Sequence, residues 1–128
     1  MSLNVLVVDD SKTVRSVIIK TLKLAEVAIG ELIEAANGKE ALDVLSENWI
    51  DLIFLDINMP VMNGVEMIEQ MSADGVMNKT PVIVVSTEGS ETRIDALREK
   101  GITGYIRKPF TPEEFEGVVK NVTGGSNE

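Results

Sequence analysis

The sequence predicts an α/β fold in which one parallel sheet carries helices on both of its faces. Apolar runs without polar alternation, at residues 5–8, 52–55 and 82–85, are typical of strands that are buried on both faces. The segments between these runs place apolar residues at helical spacing. Because strand and helix patterns alternate along the chain, right-handed crossovers are expected to link the strands into a doubly wound sheet.

The predicted strands differ in the residues that follow them. Asp9 and Asp10 follow the first strand, Asp56 the third, Ser86 the fourth and Lys108 the fifth. The second candidate strand is followed by no residue of comparable reactivity. The predicted strands cover residues 5–8, 31–35, 52–55, 82–85 and 105–106.

Five helices are predicted between and after these strands. The first covers about residues 11–25, the second follows the Asn37-Gly38 turn, the third begins near Gly64, and the weaker fourth ends before Gly101. The apolar positions that define them are Val14, Val17, Ile18 and Leu22; Ala41, Leu42 and Leu45; Val65, Ile68 and Met71; Ile94 and Leu97; and Phe115, Val118, Val119 and Val122.

The start of the fifth helix has the most complete local signal. Thr111 can cap it, Pro112 suits the first helical position, and Glu114 completes a capping box.

The composition fits one domain over residues 1–128. Hydrophobic content of 44% and charged content of 26% are ordinary for a globular protein, and no apolar stretch approaches the roughly 18 residues of a membrane span. The absence of cysteine excludes disulfides and thiolate metal sites, and a cytoplasmic location without membrane attachment is expected. A formal net charge of −9 argues against nucleic acid as a partner, because phosphate binding needs a basic surface.

The residues that follow the strands are expected to share one edge of the sheet, since ligands of open α/β sheets bind beyond the carboxyl ends of the strands. Each pair among Asp9, Asp10 and Asp56 would repel by roughly 3 kcal/mol at about 5 Å. A hard cation such as Mg²⁺ would relieve that repulsion through oxygen ligands. With Lys108 and Ser86 nearby, the pocket suits a phosphoryl group, and Asp56 is the expected nucleophile.

Motifs along the chain resemble the receiver domain of bacterial two-component response regulators, in its single-domain, CheY-like form. The motifs lie at residues 7–11, 56–64, 84–87 and 108–110, and the similarity extends over about residues 3–122. The resemblance implies a flavodoxin-like (βα)5 fold with strand order 2-1-3-4-5. It implies a cis bond between Lys108 and Pro109, and a domain without an attached output domain.

The resemblance also implies roles for the pocket residues. Asp56 matches the phosphoacceptor, and Lys108 matches the lysine that pairs with the phosphoryl oxygens. Asp9 and Asp10 match the acidic pair that holds Mg²⁺ together with Asp56. Asn58 matches the residue whose backbone carbonyl is a further metal ligand.

Two further positions match the switch of the family. Ser86 corresponds to the hydroxyl residue that moves to bond the phosphoryl group, and Tyr105 to the aromatic residue that turns inward with it. Asn58 and Glu88 flank the path of attacking water in receivers, and polar residues at both predict a short-lived phosphoaspartate.

The resemblance implies a phosphoacceptor signalling protein that catalyses only its own phosphorylation and dephosphorylation. The chain contains no histidine, so a histidine kinase or a histidine phosphotransfer protein must supply the phosphoryl group. The family directs its output to a protein target through the face of the fourth helix, fifth strand and fifth helix, which here includes Arg93, Tyr105 and Glu113.

Other interpretations remain open at this point. A single-domain receiver can be a phosphorelay intermediate or a phosphate sink as well as a motility regulator. A haloacid-dehalogenase-type phosphatase needs a second aspartate where Ser11 stands, and an inactive pseudo-receiver would lack part of the pocket. A nucleotide-binding fold is disfavoured because no glycine-rich loop follows the first strand. The pathway, cognate kinase, target, phosphoryl lifetime and oligomeric state do not follow from the sequence.

Overall fold

A computed structural model describes residues 2–76, 79–87 and 91–123. Strands and helices alternate as predicted. The elements in chain order are β1 (Leu3–Val8), α1 (Lys12–Leu24), β2 (Ile29–Ala35), α2 (Gly38–Glu47), β3 (Leu52–Leu55), α3 (Gly64–Ala73), β4 (Val82–Ser86), α4 (Glu91–Glu99), β5 (Gly104–Arg107) and α5 (Pro112–Thr123).

The strands form one parallel sheet in the order β2-β1-β3-β4-β5, which confirms the predicted fold class and strand order. The inner strands β1, β3 and β4 are almost wholly buried, whereas the edge strand β2 is largely accessible. The predicted bounds were short at several ends. β1 begins at Leu3 and β2 at Ile29, while Ser86 and Arg107 are the last residues of β4 and β5 and do not follow them.

Helices cover both faces of the sheet because alternate strand residues point to opposite sides. One core cluster joins Leu6 and Val8 of β1 to residues of α2, α3 and α4. The other joins Val5 and Val7 to α1 and α5. In this second cluster the ring of Phe115 stacks on that of Phe54, with centroids 5.2 Å apart.

Three helices end in the same left-handed turn, in which the amide N–H groups of the two residues after the cap bond back into the helix. The left-handed residue is Glu26 after α1 (φ 59°), Gly75 after α3 (φ 78°) and Gly101 after α4 (φ 109°). Glycine adopts this conformation at no steric cost, so the turn after α1 is the strained one.

The helices that the structure describes include none that is long and apolar enough to cross a membrane.

Candidate functional site

Three carboxylates meet at the carboxyl ends of β1 and β3. Asp9, Asp10 and Asp56 each offer an oxygen, and these oxygens lie within 4.8 Å of one another. Asp9 is buried, Asp56 is partly buried and Asp10 is exposed. The sheet produces this cluster because β1 and β3 are parallel neighbours, and Val8 pairs with Leu55 one residue before the acids. The cluster has the oxygen ligands that a hard divalent cation prefers.

Asp9 is held by its backbone and by one of its carboxylate oxygens. Its N–H donates to the carbonyl of Ala35 at 3.1 Å, and its Oδ1 accepts from the N–H of Ser11 at 2.9 Å. Its backbone carbonyl accepts from the Arg15 guanidinium. Its buried Oδ2 accepts no hydrogen bond from any described residue. Since burying an unbonded carboxylate oxygen is unfavourable, this atom fits a position that a cation would occupy.

Lys108 is the cation that the structure places beside the acids. Its Nζ lies 3.6 Å from Oδ2 of Asp9 and 3.9 Å from Oδ1 of Asp56, which are ion-pair distances too long for hydrogen bonds. The backbone N–H of Lys108 donates to the carbonyl of Ser86 at 2.8 Å, and the Lys108-Pro109 peptide bond is cis, as the resemblance implies. Lys108 thus lies within ion-pair distance of both Asp9 and Asp56, and its one charge faces three carboxylates.

The surroundings of Asp56 favour the protonated acid. Burial and, to a smaller extent, the negative charge of Asp9 raise the pKa of Asp56 from 3.8 to a net value of about 6. The ammonium of Lys108 and the backbone N–H of Ile57 act in the opposite direction, and Asp10 adds a smaller upward effect. The pocket therefore holds more negative charge than its own residues can neutralise, which a divalent cation would relieve.

The loop between β3 and α3 fixes the backbone after Asp56. The N–H of Met62 donates to the carbonyl of Pro60 at 2.7 Å around Val61, whose φ is 65°. This is a γ-turn with a β-branched residue in a disfavoured conformation. The N–H of Gly64 donates to the carbonyl of Ile57 at 2.8 Å, and a Cβ atom on Gly64 would lie 2.5 Å from the carbonyl oxygen of Asp56.

A cavity of about 200 Å³ lies under α4 beside the acidic pocket. The cavity lies between α3 and α4. It is lined by residues of the strand ends, of both helices and of the turn after α4: Ile57, Asn58, Val65, Ser86, Arg93, Ala96, Leu97 and Lys100. The Lys100 ammonium pairs with Glu69 of α3 at 3.1 Å. No sequence pattern indicates this cavity, because it depends on how α4 packs against its neighbours.

The remaining predicted site residues lie outside the acidic cluster. Tyr105 is half-buried in β5 and packs against the core cluster that includes Leu97 and Ile102. Arg93 and Glu113 are exposed on α4 and α5. Glu88 lies outside the described residues.

Sequence reasoning missed the contacts of Arg15 and the role of Gly64. Arg15 lies on α1 and bonds to Glu34 of β2 as well as to Asp9. No local pattern marks such a contact, because its partners come from different elements. The glycine that ends the motif at residues 56–64 is a usable sequence signal for a close backbone approach, besides marking the start of a helix.

Comparisons with known proteins agree with this geometry. The sequence profile of the Response regulator receiver domain family matches residues 5–120. The "Chemotaxis protein CheY homolog" of Campylobacter jejuni is 37% identical, over 98% of this chain and 97% of its own.

Solved structures of response regulators are similar to this chain in fold and in sequence. The chemotaxis response regulator CheY4 of Vibrio cholerae superposes with a TM-score of 0.83 at 34% identity, covering 95% of this chain and 99% of its own. The response regulator domain of Thermotoga maritima CheB does so with a TM-score of 0.78 at 30% identity, covering 96% and 98%.

Proposed function

Because this chain belongs to the response regulator receiver domain family, and is thus a phosphoacceptor protein of two-component signalling, we propose that Asp56 is its phosphoacceptor. The observation that carries the proposal is the acidic cluster with the unbonded Oδ2 of Asp9 and the Lys108 ammonium beside it. A receiver is a signalling domain and not a classical enzyme. The chemistry we propose is therefore confined to phosphorylation and dephosphorylation of Asp56 itself.

The donor we propose is a phosphohistidine on a histidine kinase or a histidine phosphotransfer protein. One carboxylate oxygen of Asp56 attacks the phosphorus atom, the P–N bond breaks as the P–O bond forms, and the imidazole leaves and takes up a proton from solvent. Hydrolysis reverses the state, because water attacks the phosphorus, the P–O bond breaks, and inorganic phosphate and the carboxylate of Asp56 are released.

Asp9, Asp10 and Asp56, with the backbone carbonyl of Asn58, would hold Mg²⁺ in this pocket. The residues fit that ion, since they supply oxygen ligands and include one buried oxygen that accepts no hydrogen bond from the described residues. When bound, Mg²⁺ neutralises the carboxylates and the charge on the transferring phosphoryl oxygens. Lys108 would move from its long ion pair with Asp56 to the phosphoryl oxygens.

Ser86 and Tyr105 form the proposed switch. Ser86 ends β4 at the edge of the cavity, and a short movement of its hydroxyl towards Asp56 would enlarge the space beneath α4. Tyr105 in the neighbouring strand could then turn inward, since its register partner Val84 lies two residues before Ser86. The signal would leave through the face of α4, β5 and α5, which includes Arg93 and Glu113, to a protein target.

Asn58 and Glu88 are proposed to set how long the phosphoryl group survives. Asn58 is exposed at the rim of the pocket, where its side chain can meet incoming water. Replacing Glu88 by alanine is expected to change the decay rate of the phosphorylated protein. Identical decay rates for the two proteins would remove Glu88 from this role.

The test is phosphorylation by acetyl phosphate with Mg²⁺, followed by mass spectrometry of intact protein and peptides. Wild type should gain one base-labile phosphoryl group on Asp56, Asp56→Asn should gain none, and omission of Mg²⁺ should prevent the gain. Asp43→Asn is a matched control, because Asp43 is an exposed aspartate on α2. The proposal fails if wild type gains no phosphoryl group or if Asp56→Asn gains the same adduct.

A further inference from the structure

We propose that Arg15 is a positioning residue for the acidic pair. Anchored by Glu34, it holds the backbone carbonyl of Asp9 and thereby sets the direction in which Asp9 and Asp10 face a cation. This inference rests on the proposed function of the pocket as a Mg²⁺ site, which it deepens by naming a residue that touches neither the metal nor the phosphoryl group.

The contacts of Arg15 join three elements. Its Nε donates to Oε1 of Glu34 on β2 at 2.8 Å, and its Nη1 donates to the carbonyl of Asp9 at the end of β1. The side chain of Arg15 is only 14% exposed, although it begins on the outer helix α1. A guanidinium is a rigid planar fork, so fixing one nitrogen on Glu34 also fixes the direction of the other.

The consequence falls on the peptide between Asp9 and Asp10. The N–H of Asp9 donates to Ala35, its Oδ1 accepts from the N–H of Ser11, and its carbonyl accepts from Arg15. Within the part of the chain that the structure describes, its Oδ2 accepts no hydrogen bond. The carbonyl of Asp9 shares a rigid peptide plane with the N–H of Asp10. Loss of the Arg15 bond would let this plane rotate, and Asp10 would lose its fixed approach to the cluster.

Charge alone predicts the opposite effect from positioning. Arg15 carries a positive charge close to an acidic pocket, so its removal would strengthen the binding of a cation if only long-range electrostatics mattered. If Arg15 acts by orienting the acidic pair, its removal weakens cation binding despite the more negative pocket. Groups that orient metal ligands typically change metal affinity by about 10-fold to 100-fold when they are mutated.

The experiment measures Mg²⁺ affinity of the unphosphorylated protein by isothermal titration calorimetry. Arg15→Ala should bind Mg²⁺ about 10-fold more weakly than wild type. Arg98→Ala removes the same charge from an exposed position on α4 and should leave the affinity within about twofold, as expected for a screened distant charge. Phosphorylation of Arg15→Ala by acetyl phosphate should recover at saturating Mg²⁺.

A second measurement needs no metal. Hydrogen exchange at the N–H of Ser11, which bonds to Oδ1 of Asp9, should accelerate in Arg15→Ala. Exchange at the N–H of Asp56, which bonds to Val8, should stay unchanged. Arg15→Lys keeps the positive charge and most of the packing but lacks the planar guanidinium that can bond to Glu34 and Asp9 together. This variant therefore tests the positioning role if the alanine variant does not fold. It should bind Mg²⁺ about threefold more weakly, a smaller loss than for the alanine variant.

Different results would overturn the role of Arg15 and the proposed Mg²⁺ site. If wild type binds Mg²⁺ and both Arg15 variants bind it equally or more tightly, Arg15 has no positioning role and the proposed function stands. If wild type does not bind Mg²⁺ at all, the proposed function of the pocket is wrong and this inference is wrong with it.

Discussion

Helices α3 and α4 follow the two strands that carry Asp56 and Ser86, yet they are attached to the protein very differently. α3 buries Met67, Ile68 and Met71 in the core and starts with a complete capping box between Asn63 and Glu66. Leu97 is the one residue of α4 that is buried, and a cavity of about 200 Å³ lies beneath this helix. Both helices end in the same left-handed glycine turn, so the difference does not lie in their C-terminal ends.

The difference corresponds to the roles proposed for Asp56 and Ser86. The proposed phosphoacceptor must stay in a fixed position beside the carboxylates that would hold Mg²⁺, and α3 anchors the loop that holds Asp56. A residue that senses phosphorylation must move, and elements that move belong to the least stable parts of a fold. α4 has the sparse burial that such a movement requires, and the salt bridge of Lys100 to Glu69 is exposed and contributes little.

The largest expected effect comes from filling the space at the start of α3. Gly64→Ala would place a Cβ atom 2.5 Å from the carbonyl oxygen of Asp56 and 2.8 Å from Cα of Ile57, both of which are backbone atoms. We expect a loss of about 3 kcal/mol or more in the free energy of unfolding, measured by urea denaturation. Gly117→Ala is the control, because its Cβ on α5 would meet nothing within 4 Å and should stabilise the protein by about 0.5–1 kcal/mol. Equal stability of Gly64→Ala and wild type would show that the loop is not rigid.

Truncating one buried residue in each helix tests the comparison directly. Met67→Ala removes a side chain that is wholly buried in a closed core, and we expect a loss of about 3 kcal/mol. Leu97→Ala enlarges a cavity that already exists, and the residues that line it can relax into the new space. We therefore expect a smaller loss, of about 2 kcal/mol, in the free energy of unfolding. Urea denaturation of both variants measures the difference. A larger loss for Leu97→Ala than for Met67→Ala would contradict the view that α4 is the weakly anchored helix.

The anchored loop also holds the Asp56 carboxylate, whose burial and repulsion by Asp9 make its charged form unfavourable, and a pH series can measure this cost. Because the pKa of Asp56 is raised to about 6 on folding, the fold binds this proton more tightly than the unfolded chain does. The stability that this proton contributes is complete below about pH 3.8 and is lost as pH rises through about 6. Asp56→Asn should therefore be more stable than wild type by about 2 kcal/mol at pH 7.5, with an advantage that disappears near pH 4.

Mg²⁺ provides the control for this effect. Saturating Mg²⁺ should stabilise wild type and leave Asp56→Asn far less changed, so the difference in thermal midpoint at pH 7.5 should shrink. Chelation with EDTA should restore it. An advantage of Asp56→Asn that is the same at pH 4 and pH 7.5 would mean that charge at Asp56 is not its cause.

The smallest effects are expected at the left-handed turns that follow the helices. Gly75→Ala and Gly101→Ala each force a side chain into a left-handed conformation, and we expect each to cost about 1 kcal/mol in urea denaturation. Glu26→Gly makes the opposite change in the turn after α1 and should stabilise the protein by about as much. If the two substitutions differ strongly in their cost, the different packing of α3 and α4 also affects the turns that follow these helices.

Much of the fold and of the site followed from local sequence patterns. Buried apolar runs predicted the strands, helical spacing predicted the helices, and the parallel order placed Asp9, Asp56 and Lys108 at one edge. The capping box of α5 was predicted in detail, and Thr111 and Glu114 do exchange hydrogen bonds there. These features were accessible because each depends on residues within about ten positions of one another, or on the common direction of parallel strands.

The sequence by itself therefore determined the alternation of elements and the edge of the sheet at which the acids lie. Only the tertiary structure decided that Oδ2 of Asp9 is left unbonded, that Arg15 reaches Glu34 and the Asp9 carbonyl, and that α4 covers a cavity. The physical reason is that these features change when the distance between side chains from separate elements changes by a few tenths of an ångström. Periodicity fixes which face a residue occupies, whereas packing fixes which atoms it contacts.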